Sequence, residues 1–144
     1  MELSAVIVSF NVCSLLRTAL DSLITATRAT ECEIIVVDNN SSDGSAGMIR
    51  QEFPSVKLIV SSGNEGFASA CNRVILESSG EYILIINPDT VTWSDAITRA
   101  LGFMKAHPDA GAAGAHMTDR SGRFLPESKR GVPSPLASLF RFTG

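Results

Sequence analysis

Asn87-Pro88-Asp89 closes a continuous apolar run that begins at Tyr82. The run reads as a buried central strand that delivers a carboxylate to its carboxyl-terminal end. In open α/β sheets, ligands gather at that edge, where strand order reverses. Pro88 fixes the local geometry and removes an N–H donor. Asn87 brings oxygen and nitrogen without charge. A hard divalent ion that also binds phosphates needs one or two carboxylates and keeps some waters. Asp89 could supply one of them; the plainer alternative is an aspartate that caps a local turn.

Two other apolar runs end in small or polar residues. Residues 3–10 lead into Ser9-Phe10-Asn11, and residues 33–37 lead into Asp38-Asn39-Asn40. At such a position Asp38 can accept a hydrogen bond from a sugar hydroxyl or a base N–H, or cap its own turn through Ser41 or Ser42. Both roles can coexist.

Several familiar chemistries are absent from the pattern. The turn N-N-S-S-D-G has neither the order nor the lysine of a Walker loop. The first strand runs into S-F-N rather than G-x-G-x-x-G, which disfavours a dinucleotide-binding dehydrogenase. No G-x-S-x-G elbow is present. His107, before Pro108, reads as a helix-end residue and His116 as structural. Trp93 reads as core or pocket wall.

The elements that would position these loops follow from periodicity. Strands are expected over 3–10, 33–37 and 56–60, and the stretch 82–90 is the fourth. Helices are expected over 12–27, 45–52, 67–78 and 94–105. Asn11 is the expected cap of the first helix. Leu16, Ala19, Leu20, Leu23 and Ile24 form its apolar stripe. Lys57 marks the third strand as an edge. Gly63 and Gly66 permit unusual backbone geometry in the loop 61–66. Gly80 is expected at a left-handed helix cap or the turn after it. A weaker fifth strand, 110–115, and a hairpin turn at Asp119–Gly122 follow. Three strand–helix units before the fourth strand imply α/β class: three-layer α/β/α with a mainly parallel sheet.

Composition agrees with one such core. The chain has 144 residues, 44% of them hydrophobic, with 12 basic and 15 acidic residues and a formal net charge of −3. Mean hydropathy is +0.18, as strands buried on both faces would give. This charge balance does not support a nucleic-acid partner. No apolar run reaches the roughly 20 residues that span a bilayer, and no basic segment precedes the first strand, so no signal peptide is expected. Cys13, Cys32 and Cys71 lack ligand spacing and read as reduced, mostly buried thiols of a cytoplasmic protein.

Four segments in order carry a resemblance: A-V-I-V-S-F-N at 5–11, E-I-I-V-V-D-N-N-S-S-D-G at 33–44, N-E-G-F-A-S-A-C-N at 64–72, and G-E-Y-I-L-I-I-N-P-D-T at 80–90. Together they resemble the nucleotide-diphospho-sugar glycosyltransferases of the GT-A fold, specifically inverting family 2. Within it they are most similar to bacterial rhamnosyltransferase-type members that build surface polysaccharides. The likeness covers residues 3 to about 130. It implies that Ser9, Phe10 and Asn11 line a nucleotide pocket and that Asp38 contacts the nucleoside. Asn64, Gly66 and Phe67 would shape the donor pocket. Asn87 stands where the family's metal motif has its first aspartate, and Asp89 would be the retained Mg2+ or Mn2+ carboxylate.

The donor implied is a UDP- or dTDP-sugar, and the acceptor a saccharide or lipid-linked glycan. The family's general base lies well past residue 144, so neither Asp119 nor Glu127 is assigned as catalytic. Val74 departs from a glycine common in relatives and reads as a small packing change. Residues 1–125 are thus expected as a nucleotide-sugar-binding core, and 126–144 as the start of an acceptor-side region. Residues 136–142 read as a helix cut short. The basic, apolar tail could touch the inner face of a membrane, and apolar surface left by a missing acceptor half could favour self-association. Two rivals stand: a non-catalytic binding or interaction module, and a nucleotidyltransferase, which would normally show a glycine-rich basic loop after the first strand.

Overall fold

The computed structural model describes residues 1–119 and 121–125. The chain divides into two compact units, Met1–Phe103 and Met104–Gly144. Eight elements alternate along the chain: β1 (Leu3–Ser9), α1 (Cys13–Ala26), β2 (Cys32–Asp38), α2 (Ser45–Glu52), β3 (Lys57–Val60), α3 (Phe67–Glu77), β4 (Tyr82–Ile86) and α4 (Ala96–Ala106). All lie within a few residues of their expected places.

The strands form one parallel sheet in the order β3-β2-β1-β4. β1 is buried along its whole length, as its β-branched apolar sequence requires. Its alternate side chains serve two layers. Leu3, Ala5 and Ile7 join Ile34 and Val36 against Leu16, Leu20 and Leu23 of α1, Met48 and Ile49 of α2, and Ile97 and Leu101 of α4. Val6, Val8, Ile35 and Val37 face Ala70, Cys71 and Val74 of α3. The result is the three-layer α/β/α arrangement. Val74 fits that second core without exposure.

β4 differs from its expected central position. It is an edge strand of the described sheet, opposite β3. Its inner row, Tyr82, Leu84 and Ile86, packs on the first core. Ile83 and Ile85, on the other face, are 39% and 45% exposed. An unbroken apolar run reads as burial on both faces, but α3 covers β1 and β2. Lys57 does mark an edge, on β3.

Gly80 is not a left-handed cap; positive φ occurs at Gly44, Gly66 and Gly122. It is glycine because β1 passes too close: a Cβ there would lie 2.4 Å from Ser4 N and 2.6 Å from Leu3 C. The same crossing carries a polar network. The Ser4 hydroxyl donates to Glu33 Oε1 at 2.6 Å, and Ser79 donates to the same oxygen through N–H and hydroxyl at 2.8 and 2.7 Å. Gly80 N–H donates to Ser4 Oγ at 2.8 Å. The Ser4 hydroxyl, then Ser79, hold the Glu33 carboxyl below its ordinary pKa.

In the second unit, no strand forms over 110–115; alanine and glycine offer little side-chain packing to hold one. The expected turn is present. Thr118 pairs antiparallel with Phe124, and Asp119 Oδ1 accepts from Ser121 N–H at 2.8 Å and Arg123 N–H at 3.0 Å. His116 stacks on Phe124 with ring centroids 4.7 Å apart. The expected acceptor-side segment, 126–144, including the helix over 136–142, lies outside the described residues. Among the described residues, no helix is long and apolar enough to cross a membrane.

Candidate functional site

Four parallel strands put four carboxyl-terminal ends at one sheet edge. Ser9 ends β1 and leads into Phe10 and Asn11, Asp38 ends β2, the loop 61–66 follows β3, and Asn87–Asp89 follows β4. Strand order reverses between β1 and β4, because β2 and β3 extend the sheet the other way. The loops after β1 and β4 therefore flank the crevice that the topology opens.

Ser9 and Asp38 are register partners across β1 and β2. Both are buried, at 0% and 1% exposure. Asp38 Oδ2 accepts from Ser41 N–H at 3.1 Å, so the turn-cap role exists. Among the described residues, Asp38 Oδ1 and Ser9 Oγ have no partner, nor does Oδ1 of the adjacent buried Asn39. A buried polar atom without a partner costs about 1–3 kcal/mol. Three at one sheet edge mark a place where incoming donors would be satisfied.

The remaining expected residues fall around this edge. Phe10 is exposed. Asn11 does not cap α1; it adopts φ 53°, a conformation asparagine tolerates. Its Oδ1 accepts from Ser42 N–H at 2.8 Å and its own N–H donates to Ser41 Oγ at 2.9 Å. That cross-tie holds the β1 loop to the β2 loop. Asn64 Oδ1 accepts from Gly66 N–H at 3.0 Å. Gly66 takes φ 80° at the start of α3, and Phe67 is half exposed. Asn87 C=O accepts from Thr90 N–H at 3.2 Å, which turns the chain so that Asn87 and Asp89 are both exposed at the end of β4. Trp93, expected in the core or a pocket wall, is 75% exposed.

Among the described residues, no three His, Cys, Asp or Glu side chains converge into a metal-binding group. Asp89 is the carboxylate at the end of β4. A divalent ion there would take its other ligands from phosphate oxygens and water, a donor set that suits Mg2+ or Mn2+.

Sequence reasoning missed three supports. Asp43 serves two helices: Oδ2 accepts from Cys13 N–H at 2.7 Å at the start of α1, and Oδ1 accepts from the Ser45 hydroxyl at 2.6 Å and Ser45 N–H at 3.1 Å at the start of α2. The Ser45 hydroxyl is the main cause of its lowered pKa. Asn39 Nδ2 donates to Gly66 C=O at 3.3 Å. Arg73 pairs with Glu65 at 2.8 Å. The polar turn 39–44 hinted at the first; nothing in the spacing announces the other two.

The family model for glycosyl transferase family 2 matches residues 4–142. An N-acetylglucosaminyl-diphospho-decaprenol L-rhamnosyltransferase of Mycobacterium tuberculosis is 30% identical over 112 residues, 70% of this chain and 36% of that protein. A poly(ribitol-phosphate) beta-glucosyltransferase of Bacillus spizizenii is 33% identical over 144 residues, 96% of this chain and 23% of that protein. Among solved structures, S. aureus TarS 1-349 in complex with UDP-GlcNAc aligns with a TM-score of 0.66 at 24% identity, covering 75% of this chain and 32% of that one. The mannosyltransferase PcManGT from Pyrobaculum calidifontis, with GDP-Man and Mn2+, aligns with a TM-score of 0.64 at 21% identity, covering 78% and 34%. These likenesses show the GT-A fold. The chain spans about a quarter to a third of the length of these relatives.

Proposed function

The chain belongs to glycosyl transferase family 2, and from that premise we propose that its first unit binds the nucleoside-diphosphate-sugar donor of a glycosyl transfer. The observation that carries this reading is the set of buried, unpartnered oxygens of Ser9, Asp38 and Asn39 at the sheet edge.

The donor lies across the carboxyl-terminal edge. Asp38 Oδ1 accepts from a base N–H or ribose hydroxyl, and Ser9, Phe10 and Asn11 line the same nucleotide pocket. Asn64, Gly66 and Phe67 bound the donor pocket at the start of α3. Asp89, with Asn87 beside it, would hold a Mg2+ or Mn2+ ion. When bound, that ion supplies positive charge that offsets the charge developing on the nucleoside-diphosphate leaving group. The transfer is a single displacement with inversion at the anomeric carbon. No catalytic base is assigned, and the Asp119 carboxylate is already committed to its own turn. The acceptor is a saccharide or lipid-linked glycan, reached at the cytoplasmic face of the membrane.

Isothermal titration with UDP- and dTDP-sugars, with and without Mg2+ or Mn2+, tests the reading. Metal-enhanced binding supports it; no binding by the folded chain sinks it. A non-catalytic module would share the donor site and differ only in lacking turnover.

A further inference from the structure

Ser61, the first residue after β3, is buried. Its N–H donates to Asp38 C=O at 2.9 Å, extending the β2–β3 pairing one step past the strands. Its side chain begins a closed circuit. The Ser61 hydroxyl donates to Glu65 Oε1 at 2.6 Å. Arg73 Nη2 donates to Ser61 Oγ at 3.1 Å, and Arg73 Nη1 lies 2.8 Å from Glu65 Oε1. Ser69 Oγ reaches Glu65 Oε2 at 3.4 Å. Residues 61 and 65 are thus clamped from α3, and the segment between them carries Asn64. The next residue, Gly66, is tied to Asn39 through its carbonyl.

Resting on the donor-binding reading above, we infer that Arg73 is a positioning residue: with Glu65 and Ser61 it fixes the loop 61–66 against the strand end that carries Asp38. Three features favour this role over ordinary surface pairing. The side chains of the pair are 38% and 28% exposed, against 44% and 43% for Arg17–Glu52, so solvent screens it somewhat less. Among the described residues, the buried Arg73 Nε–H has no acceptor. A guanidinium held in that state is there for its other contacts, since an orphaned buried donor is otherwise disfavoured. Finally, the clamp holds the loop 61–66, which leads from the end of β3, tied to Asp38, into the start of α3. Arginine suits the task because its planar fork can meet a carboxylate and a hydroxyl together, which an ammonium does less well.

The test combines UDP titration in the presence of Mn2+ with amide hydrogen exchange on the whole chain. R73M weakens UDP binding at least tenfold and speeds exchange of amides 62–66 at least tenfold, while exchange in β1 and β2 stays unchanged. R73K recovers part of the affinity, because the pair to Glu65 can re-form. R17M, which breaks the exposed Arg17–Glu52 pair, leaves UDP affinity within twofold. E65Q reproduces the R73M effect in milder form and serves if R73M does not fold. UDP affinity within twofold of wild type in R73M and E65Q overturns the inference. If the wild-type chain binds neither UDP nor dTDP, the donor reading fails, and exchange alone decides: unchanged rates over 62–66 in R73M then overturn the clamp.

Discussion

Ser9 and Asp38 sit opposite each other on β1 and β2, both buried, and each keeps a side-chain oxygen that no other described group satisfies. A core built for stability alone would not place a half-satisfied carboxylate beside an idle hydroxyl. Removing that carboxylate while keeping its shape should relieve the apo protein. D38N is expected to leave the melting temperature unchanged or raise it, since an unsatisfied buried group costs about 1–3 kcal/mol. It should weaken nucleotide binding by about tenfold or more, which is roughly 1.4 kcal/mol. Paired thermal melts and titrations check this; a large loss of stability would mean that Asp38 is structural.

Gly80 and Gly47 should respond in opposite directions to alanine. G80A drives a methyl group into the β1 backbone at Leu3 and Ser4, and overpacking of that kind costs about 1–3 kcal/mol or more. Gly47 lies inside α2 with open space around its Cβ position. Alanine there gains helix propensity, roughly 0.5–1 kcal/mol. Urea denaturation of both variants reads the contrast.

Asp43 should link two helix starts to acid stability. Its carboxyl is held below the ordinary value by the Ser45 hydroxyl first, against partial desolvation, with the Cys13 and Ser45 N–H groups assisting. Because the folded-state pKa is depressed, the stabilisation is complete above the unfolded value of about 4. It is lost as pH falls through the folded value. D43A should cost about 1–2 kcal/mol near neutral pH, as loss of a helix cap does. The gap from wild type should narrow below about pH 4. A pH series of thermal melts measures it.

Cys32 should be slow to alkylate. Burial pushes its thiol up to about 11, so only roughly 0.1% is thiolate at pH 8, against a large fraction for an ordinary thiol of pKa about 8.5. Iodoacetamide labelling followed by peptide mass spectrometry should show on the order of 100-fold slower reaction than in the unfolded chain. Equal rates folded and unfolded would contradict the burial. Of the three free thiols, Cys71 is buried and the other two are only partly covered.

Much of the fold was legible because periodicity and punctuation agree. Leu16, Leu20 and Leu23 at helical spacing mark the face of α1, and Lys57 marks the sheet edge at β3. The Ser9, Asp38 and Asp89 strand ends were readable for the same reason: parallel connectivity sends them to one edge whatever the side-chain detail. What stayed hidden depends on contacts between distant segments. No local pattern tells that Gly80 must clear Ser4, that Asp43 caps a helix 30 residues upstream, or that Arg73 clamps Ser61. Asn11 misled because its residue type suits both a cap and a left-handed turn. β4 misled because an apolar run does not say whether both faces are covered.

The central claim, a nucleoside-diphosphate site at the sheet edge with Asp38 and Asp89 on either side of β1, is tested most directly by UDP titration of wild type, D38N and D89A, each with and without Mn2+. The account predicts Mn2+-enhanced binding to wild type, loss of about tenfold or more in D38N with or without metal, and loss of the Mn2+ enhancement alone in D89A. Absence of both UDP and dTDP binding by folded wild type, or equal binding by all three proteins, would contradict it.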